Sequence, residues 1–490
     1  MPSCYCRERR CAADFAIALT LSRVPDETKF PAPRPPTPPP GAGLTFWRRV
    51  ALIAGLGLLL RLFLVAVVPT LPVSDFSEYL RRAENLARWG RFQLESEKQD
   101  AAHPPAYPLW LAAFIRVSPA AELTAIMFGN CGLAVLMILI GAGLTRELWG
   151  YRAGIAASLI FSFYPRLLLM PLIVASENLF APLLLLFVWT LTRRWRGGPA
   201  MRLAALTGLW IGLLALTRTV GYFFALVWLA GMLFARVRWR AIVVELLVIL
   251  AVQHLVMLPW AIRNQHAIGR FTFLNSVGGV GLYAGNNPRA SGDWRPWAKH
   301  LERARPGILS QGSAQIDDAA RQEAMRWIRG HPGRATRLFF KRLWLIFKQD
   351  TAAAWWAIYA KGIAPPYPGR DVLAEHHPLE DHRTAVFATL RIADGLLLLC
   401  ALGGLLLLFR RARRMGSGFD RALAVGFLAV VAYIPLLSAP IAVNGRYRWP
   451  SEDLSVPLAA FFLTLKRGRA TSLIAQSDAG CPAAFGAGGP

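Results

Sequence analysis

Charge is scarce in this chain of 490 residues: Asp, Glu, Lys and Arg together make up 17% of it. That leaves too little polar surface for the two to four soluble domains that such a length would otherwise suggest. Lysine is scarcest, with seven residues, so the net charge of +26 is almost all arginine. Such a preference can reflect coding composition as much as physics. No stretch reads as a folded soluble domain with a basic face, which argues against nucleic acid as a partner. The six cysteines, Cys4, Cys6, Cys11, Cys131, Cys400 and Cys481, lie in the tails or inside apolar runs and offer no disulfide framework. Cys4, Cys6 and Cys11 find no histidine or second cysteine cluster to complete a metal site. The first 43 residues lack the charged start, apolar middle and small-residue cleavage site of a signal peptide. No internal repeat or pair of matched halves is evident.

What is abundant is apolar: 55% hydrophobic residues, with a mean hydropathy of +0.38. Several runs approach the roughly 20 apolar residues that cross a bilayer. The fold class is therefore all-α integral membrane, a polytopic helix bundle of about ten spans, within a range of about 8–13. Anionic headgroups of membrane lipids are the expected neighbours of the arginines.

Arginine clusters orient the bundle. Arg48 and Arg49 precede Val50 to Val68, a first span that runs outward under the positive-inside bias. Later spans are read at 123–144, 153–175, 178–192, 203–217, 220–234, 241–260, 392–409, 422–440 and 454–465. This parity puts Arg193, Arg194 and Arg196, then Arg236, Arg238 and Arg240, then Arg410, Arg411, Arg413 and Arg414 inside; shifting it by one would expose most of them. Pro104 to Val117 opens on two prolines and is too short to cross, so an interfacial or re-entrant helix is expected. Leu338 to Trp356, apolar but broken by charges, reads as a second interfacial helix.

The chain then divides into a disordered, Pro-rich cytoplasmic tail at 1–47 and an N-terminal transmembrane catalytic core at 48–260, with a first outer loop at 70–120. A long outer-face segment at 261–390, C-terminal spans at 391–466 and a cytoplasmic tail at 467–490 complete it. Both termini are expected inside.

Polar groups that packing does not explain collect on one face. Asp75 surfaces just after the first span, where it either caps the helix beginning at Phe76 or does chemistry. Glu78 has Arg81 and Arg82 at helical spacing and suits a solvated face. Tyr79, His103 and Tyr107 follow. Glu177 lies between two apolar runs, where ionisable groups are expensive and mark sites. Arg218 holds a planar fork suited to phosphate, or snorkels to headgroups. Arg263 opens the long segment. Arg446 and Arg448 flank Tyr447 against the positive-inside bias, which favours anion binding there. An acid opposite arginines suits a hydroxyl attacking while a phosphate leaves.

At these residues the chain resembles the polytopic GT-C glycosyltransferases, in particular bacterial relatives of dolichyl-phosphate-mannose protein mannosyltransferases and of lipid A aminoarabinose transferases. The resemblance covers most of residues 48 to 466. It rests on Asp75 with Tyr79, on His103-Pro104-Pro105-Ala106-Tyr107-Pro108-Leu109, on Ser176-Glu177, on Leu216-Thr217-Arg218, on Trp260 to Asn264, and on Arg446-Tyr447-Arg448-Trp449-Pro450. It implies inverting transfer of a sugar from a polyprenyl-phosphate donor to a protein, lipid or polysaccharide acceptor at the outer face of a bacterial cytoplasmic membrane.

Asp75 matches the acid that serves as general base or acceptor-orienting group, and Glu177 a second catalytic acid. Tyr79, His103, Arg218, Arg263, Arg446 and Tyr447 match the donor or phosphate-binding side, with Glu78 and Tyr107 in support. Phe76 stands where many relatives carry a second acid, which leaves only Glu78 nearby and counts against metal assistance; a divalent metal is possible and no cofactor is certain. His103 stands where some carry Lys, so its phosphate contact is expected to depend on pH. The rival readings are a glycan ligase or polymerase using a lipid-pyrophosphate donor, and a transporter.

Overall fold

A computed structural model of the chain describes residues 42–68, 70, 72, 75–94, 100–292, 297–348, 382–441, 443 and 445–465. Most of the expected N-terminal tail, the whole of the C-terminal one and the end of the second interfacial helix fall outside these. Among the described residues there are seventeen α-helices and no β-strand. The N-terminal part runs α1 Ala42–Val67, α2 Asp75–Trp89, α3 Ala106–Val117, α4 Glu122–Trp149, α5 Tyr151–Phe163, α6 Pro165–Leu169, α7 Glu177–Trp195, α8 Ala200–Thr217, α9 Ala225–Phe234 and α10 Trp239–Ile268. Then follow α11 Gly278–Gly285, α12 Ala298–Ala304, α13 Ser313–Gly330, α14 Pro332–Lys348, α15 Arg383–Met415, α16 Gly418–Ser438 and α17 Trp449–Thr464.

Each segment read as a span falls on a helix, but they are not all alike. Six helices, α1, α4, α8, α10, α15 and α16, are long and apolar enough to cross a bilayer; the bent pair α5 and α6, which turns by 52°, makes seven if it counts as one span. The other three, α7, α9 and α17, are shorter or carry more charge. Burial explains two of them. Helix α17 is buried from Trp449 to Phe461 and α7 along most of its length, so protein surrounds them and a full lipid-facing stretch is not required. The short α3, only 12 residues, packs on α2 and α4 as a helix that does not reach the length of a span.

The two ends of the bundle differ. At one, Glu147 pairs with Arg193 and Arg196 at 3.1 and 3.3 Å, Arg411 pairs with Asp420 at 2.9 Å, and Arg146 stacks on Phe46 at the start of α1. The other carries Asp75. Between the ends, helices approach closely where side chains are small: a Cβ on Gly208 of α8 would stand 2.5 Å from the Ile249 carbonyl oxygen of α10. Small residues drive such contacts in a membrane, where the lipid is as apolar as the helices.

The break between α5 and α6 needs an explanation, because Pro165 cannot continue a helix and the turn before it is left with free carbonyls. Arg61 of α1 supplies the donors. Fully buried, its guanidinium donates to the carbonyls of Gly57 and Ser162 at 2.9 Å, of Phe161 at 2.9 Å and of Leu167 at 3.3 Å. Beyond the bundle, α11 to α13 share a small core of Tyr283, Leu301, Ile308, Ala320 and Ala324, and Leu338 of α14 clusters with Trp327 of α13. Arg342 of α14 donates to the Ala439 and Pro440 carbonyls at 3.0 and 3.1 Å, docking this unit on the end of α16.

Replacing Arg61 with Met should remove these bonds while keeping most of the volume. A loss of about 3 kcal/mol is expected from the stranded carbonyls, read as a lower melting temperature of the detergent-solubilised protein. An unchanged melting temperature would show that the break does not depend on Arg61.

Candidate active site

Four chain positions distant in sequence meet at the Asp75 end. Glu177 opens α7, where a carboxylate suits the positive end of the helix, and its side chain is 2% exposed. Arg218 stands where α8 ends in extended backbone. Its Nη1 lies 2.6 Å from Glu177 Oε1 and donates to Ser176 Oγ at 3.1 Å. Arg446 comes from the 3-10 turn Gly445–Arg448 ahead of α17 and donates through Nε to the same Glu177 oxygen at 2.5 Å. Its Nη1 reaches Asp75 Oδ2 at 3.3 Å, and its guanidinium lies 4.9 Å from the Phe76 ring centre.

Two acids thus balance two arginines, and they are not equivalent. The Asp75 side chain is 53% exposed, so only Asp75 keeps an open face. As the first residue of α2 it also meets that helix's positive end, which accommodates the capping reading; the pairing with Arg446 goes beyond it.

A polar layer holds the segment before Glu177. Asn178 donates to the carbonyls of Met170, Ile173 and Ala175 at 3.1, 2.9 and 3.1 Å, and buried Asn130 of α4 donates to Pro171 and Ile173 at 3.3 and 3.4 Å. Tyr107 donates to Asn130 at 3.4 Å. The Tyr79 hydroxyl lies 3.3 Å from Ser176 Oγ, and its ring meets His103 and Tyr107 edge-on. Tyr447 packs with Leu345, Ile346 and Val443.

The remaining sequence-derived residues form a neighbouring cluster. Arg82, 1% exposed, pairs with Glu78 at 3.2 Å and, through two nitrogens, with Asp100 at 3.2 Å each. The helical pairing expected of Glu78 is present, with its side chain 39% exposed and only Arg82 buried, and burial raises the Glu78 carboxyl above its usual range against the pull of Arg82. Arg263 is not brought to Asp75. It donates to the carbonyls of Phe92 at 2.7 Å and of Asp100, and stacks on Trp260, tying the first loop to α10.

His103 Nδ1 lies 3.5 Å from Glu78 Oε2. Burial, with Arg82 adding to it, lowers the imidazole to about 4. Burial thus moves the ring away from the ordinary value on which the expected pH-dependent contact rests.

Sequence reasoning passed over Ser176 as a hub, and Arg82, Asp100, Asn130 and Asn178 as supports. A signal existed for Asn130, an amide within the apolar run of α4. Ser176 left none, since its importance is purely one of position.

With this geometry in view, the chain can be set beside proteins of known structure. Its fold is similar to that of oligosaccharyltransferases, which are GT-C glycosyltransferases, the class that the sequence resemblance led one to expect. The archaeal oligosaccharyltransferase AglB from Archaeoglobus fulgidus, in complex with an inhibitory peptide and a dolichol-phosphate, is 16% identical with a TM-score of 0.53, over 92% of this chain and 53% of that one. The Archaeoglobus fulgidus oligosaccharyltransferase in complex with Zn and sulfate is 17% identical with a TM-score of 0.50, over 87% of this chain and 51% of that one. ArnT from Cupriavidus metallidurans in the apo state is 15% identical with a TM-score of 0.38, over 82% of this chain and 78% of that one. The chain spans about half the length of the oligosaccharyltransferases it matches. No family model and no curated protein matches it.

Replacing His103 with Asn should leave the shape of the pH–rate profile unchanged between about pH 5 and 8. The folded chain holds this ring below its ordinary value of about 6.5. Its stabilising effect is therefore complete above that value and is lost as pH falls through about 4. An inflection that disappears in the variant would show instead that His103 titrates during turnover.

Proposed function

We propose that this chain is a membrane glycosyltransferase. It transfers a sugar, with inversion, from a polyprenyl-phosphate donor to an acceptor hydroxyl at the membrane face where Asp75 emerges, which we take to be the outer face of a bacterial cytoplasmic membrane. One observation carries the reading: an open acid, Asp75, shares Arg446 with a buried acid, Glu177, that also holds Arg218. Base and anion-stabilising groups thus stand side by side. The shared fold supports it, as does a solved relative of that fold that holds a dolichol-phosphate.

In the step proposed, the acceptor oxygen attacks the anomeric carbon, and its proton passes to the Asp75 carboxylate. The new carbon–oxygen bond forms as the bond from that carbon to the phosphate oxygen breaks, and the electron pair leaves on the lipid phosphate. Arg446 and Arg218 stabilise the charge that develops there. Glu177, read from the sequence as a second catalytic acid, is assigned the role of anchor: both of its cationic partners draw on one oxygen, Ser176 Oγ donates toward the other at 3.4 Å, and the side chain is 2% exposed. Tyr79 and Tyr447 flank the phosphate side.

A divalent ion fits this arrangement poorly. Among the described residues no group of three or more His, Cys, Asp and Glu could hold one, and Arg446 already stands between the two acids. No step here uses one.

Asp75→Asn should leave the protein inserted in the membrane and lower kcat by about 10²- to 10⁴-fold, as expected for loss of a general base. Full transfer by that variant would remove Asp75 from the mechanism. With purified protein, the donor linked through one phosphate should be used and the pyrophosphate-linked one should not; the reverse would favour the ligase reading.

A further inference from the structure

Two residues beyond Arg446, the same short turn carries Arg448, and its side chain enters a second set of buried charges that the proposed reaction does not use. Arg448 donates through Nη2 to Asp394 of α15 at 2.6 Å, through Nη1 to the Phe347 carbonyl at 2.8 Å, and through Nε to Glu452 of α17. Arg166 of α6 pairs with Glu452 at 2.7 Å and Asp453 at 2.6 Å. The Tyr164 hydroxyl, at the α5–α6 break, donates to Asp394. Every charged side chain in the set is 5% exposed or less. Three acids and two arginines are withdrawn from solvent here, drawn from α6, α15, α17 and the turn.

Stability alone accounts poorly for such a set. Buried ion pairs commonly do no better for folding than apolar residues of the same volume; fixing one arrangement against others is their best-attested use. The turn that needs fixing is short. Gly445–Arg448 follows α16 and has only a single 3-10 turn of its own, yet it must hold the Arg446 guanidinium in place between Glu177 and Asp75. Arg446 is drawn toward α7 and α2, while Arg448 is drawn toward α15 and α17. Opposed attachments on the two sides set the rotation of the turn. Arg448 also binds the Phe347 carbonyl of α14. This joins the turn to the α11–α14 unit.

We propose that Arg448, Asp394, Glu452 and Arg166 are positioning residues for Arg446, acting on donor use through the turn and touching no substrate themselves. The proposal rests on the reading of Arg446 as a donor-phosphate contact. A misplacement of about 1 Å in such a group costs on the order of 10²-fold, so weakening one attachment should be felt in the reaction even where the fold survives.

The test is a double-mutant cycle on the full chain, with polyprenyl-phosphate sugar as the varied substrate. Asp394→Asn keeps the shape and removes the charge that draws Arg448. Alone it should lower kcat/KM for the donor by about 10- to 100-fold, with the KM for acceptor unchanged, and Asp394→Glu should recover part of the loss. In an Arg446→Ala background the same change should cost less than about twofold, because the group being positioned is gone. Equal losses in both backgrounds would overturn the proposal and leave the network a purely structural one. If Asp394→Asn does not accumulate in the membrane, Tyr164→Phe removes only the hydroxyl that holds Asp394, and the same cycle applies. Unchanged donor use in Arg446→Ala alone would overturn both this proposal and the phosphate role assigned to Arg446. Donor use lost in Arg446→Ala but additive with Asp394→Asn would overturn the positioning role only.

Discussion

The carboxylate of Glu177, withdrawn from solvent and shared by Arg218 and Arg446, is the constraint from which the rest of the site follows. A buried carboxylate is tolerated only with close, well-directed cations, and here these come from the end of α8 and from the turn before α17. Three elements far apart in the chain must therefore converge on one oxygen atom. The polar layer behind Glu177 has the same purpose. Asn178 and Asn130 fix the backbone that presents it, and Ser176 takes up what remains of Arg218 and Tyr79.

From that anchor comes the asymmetry that makes chemistry plausible at this end of the bundle. Arg446 has one nitrogen committed to the buried acid and another directed at the open one. Asp75 is thereby held without being enclosed, at the start of an amphipathic helix whose buried residues, Phe76, Tyr79 and Ala83, follow helical spacing. The first loop is held separately, through Arg82 to Asp100 and through Arg263 to the same stretch of backbone. Two independent clamps thus fix the acid relative to the arginines.

The helices were legible in the sequence because each expected span is an apolar run, and runs report on local composition. Their status was less so. That α7 and α17 lie inside the bundle depends on neighbours from elsewhere in the chain, which no local window records. The same division holds at the site. Asp75, Glu177, Arg218 and Arg446 stood out because each is a charge at the edge of an apolar run or set against the charge bias of the loops. Arg166, Asp394 and Glu452 did not, since their meaning is their pairing: Arg448 reaches back 54 residues to Asp394, and Arg166 forward 287 to Asp453. His103 looked titratable because a sequence shows the imidazole and not its desolvation.

The excess of arginine over lysine, which composition alone leaves open to a coding explanation, has a physical meaning at the buried positions. Arg61, Arg82, Arg166, Arg342 and Arg448 are all 2% exposed or less, and each divides its fork among two or more acceptors. An ammonium has three donors but no planar fork with which to bridge two helix ends at once. A site at the edge of a bilayer requires helices that stop, bend and restart near it, and every such break frees carbonyls that lipid cannot satisfy. Arg61 serves the α5–α6 break, and Arg342 the end of α16. The chemistry proposed for the open acid and the arginine content of the interior are thus linked: the broken helices that shape the site hold together because guanidinium groups close their ends.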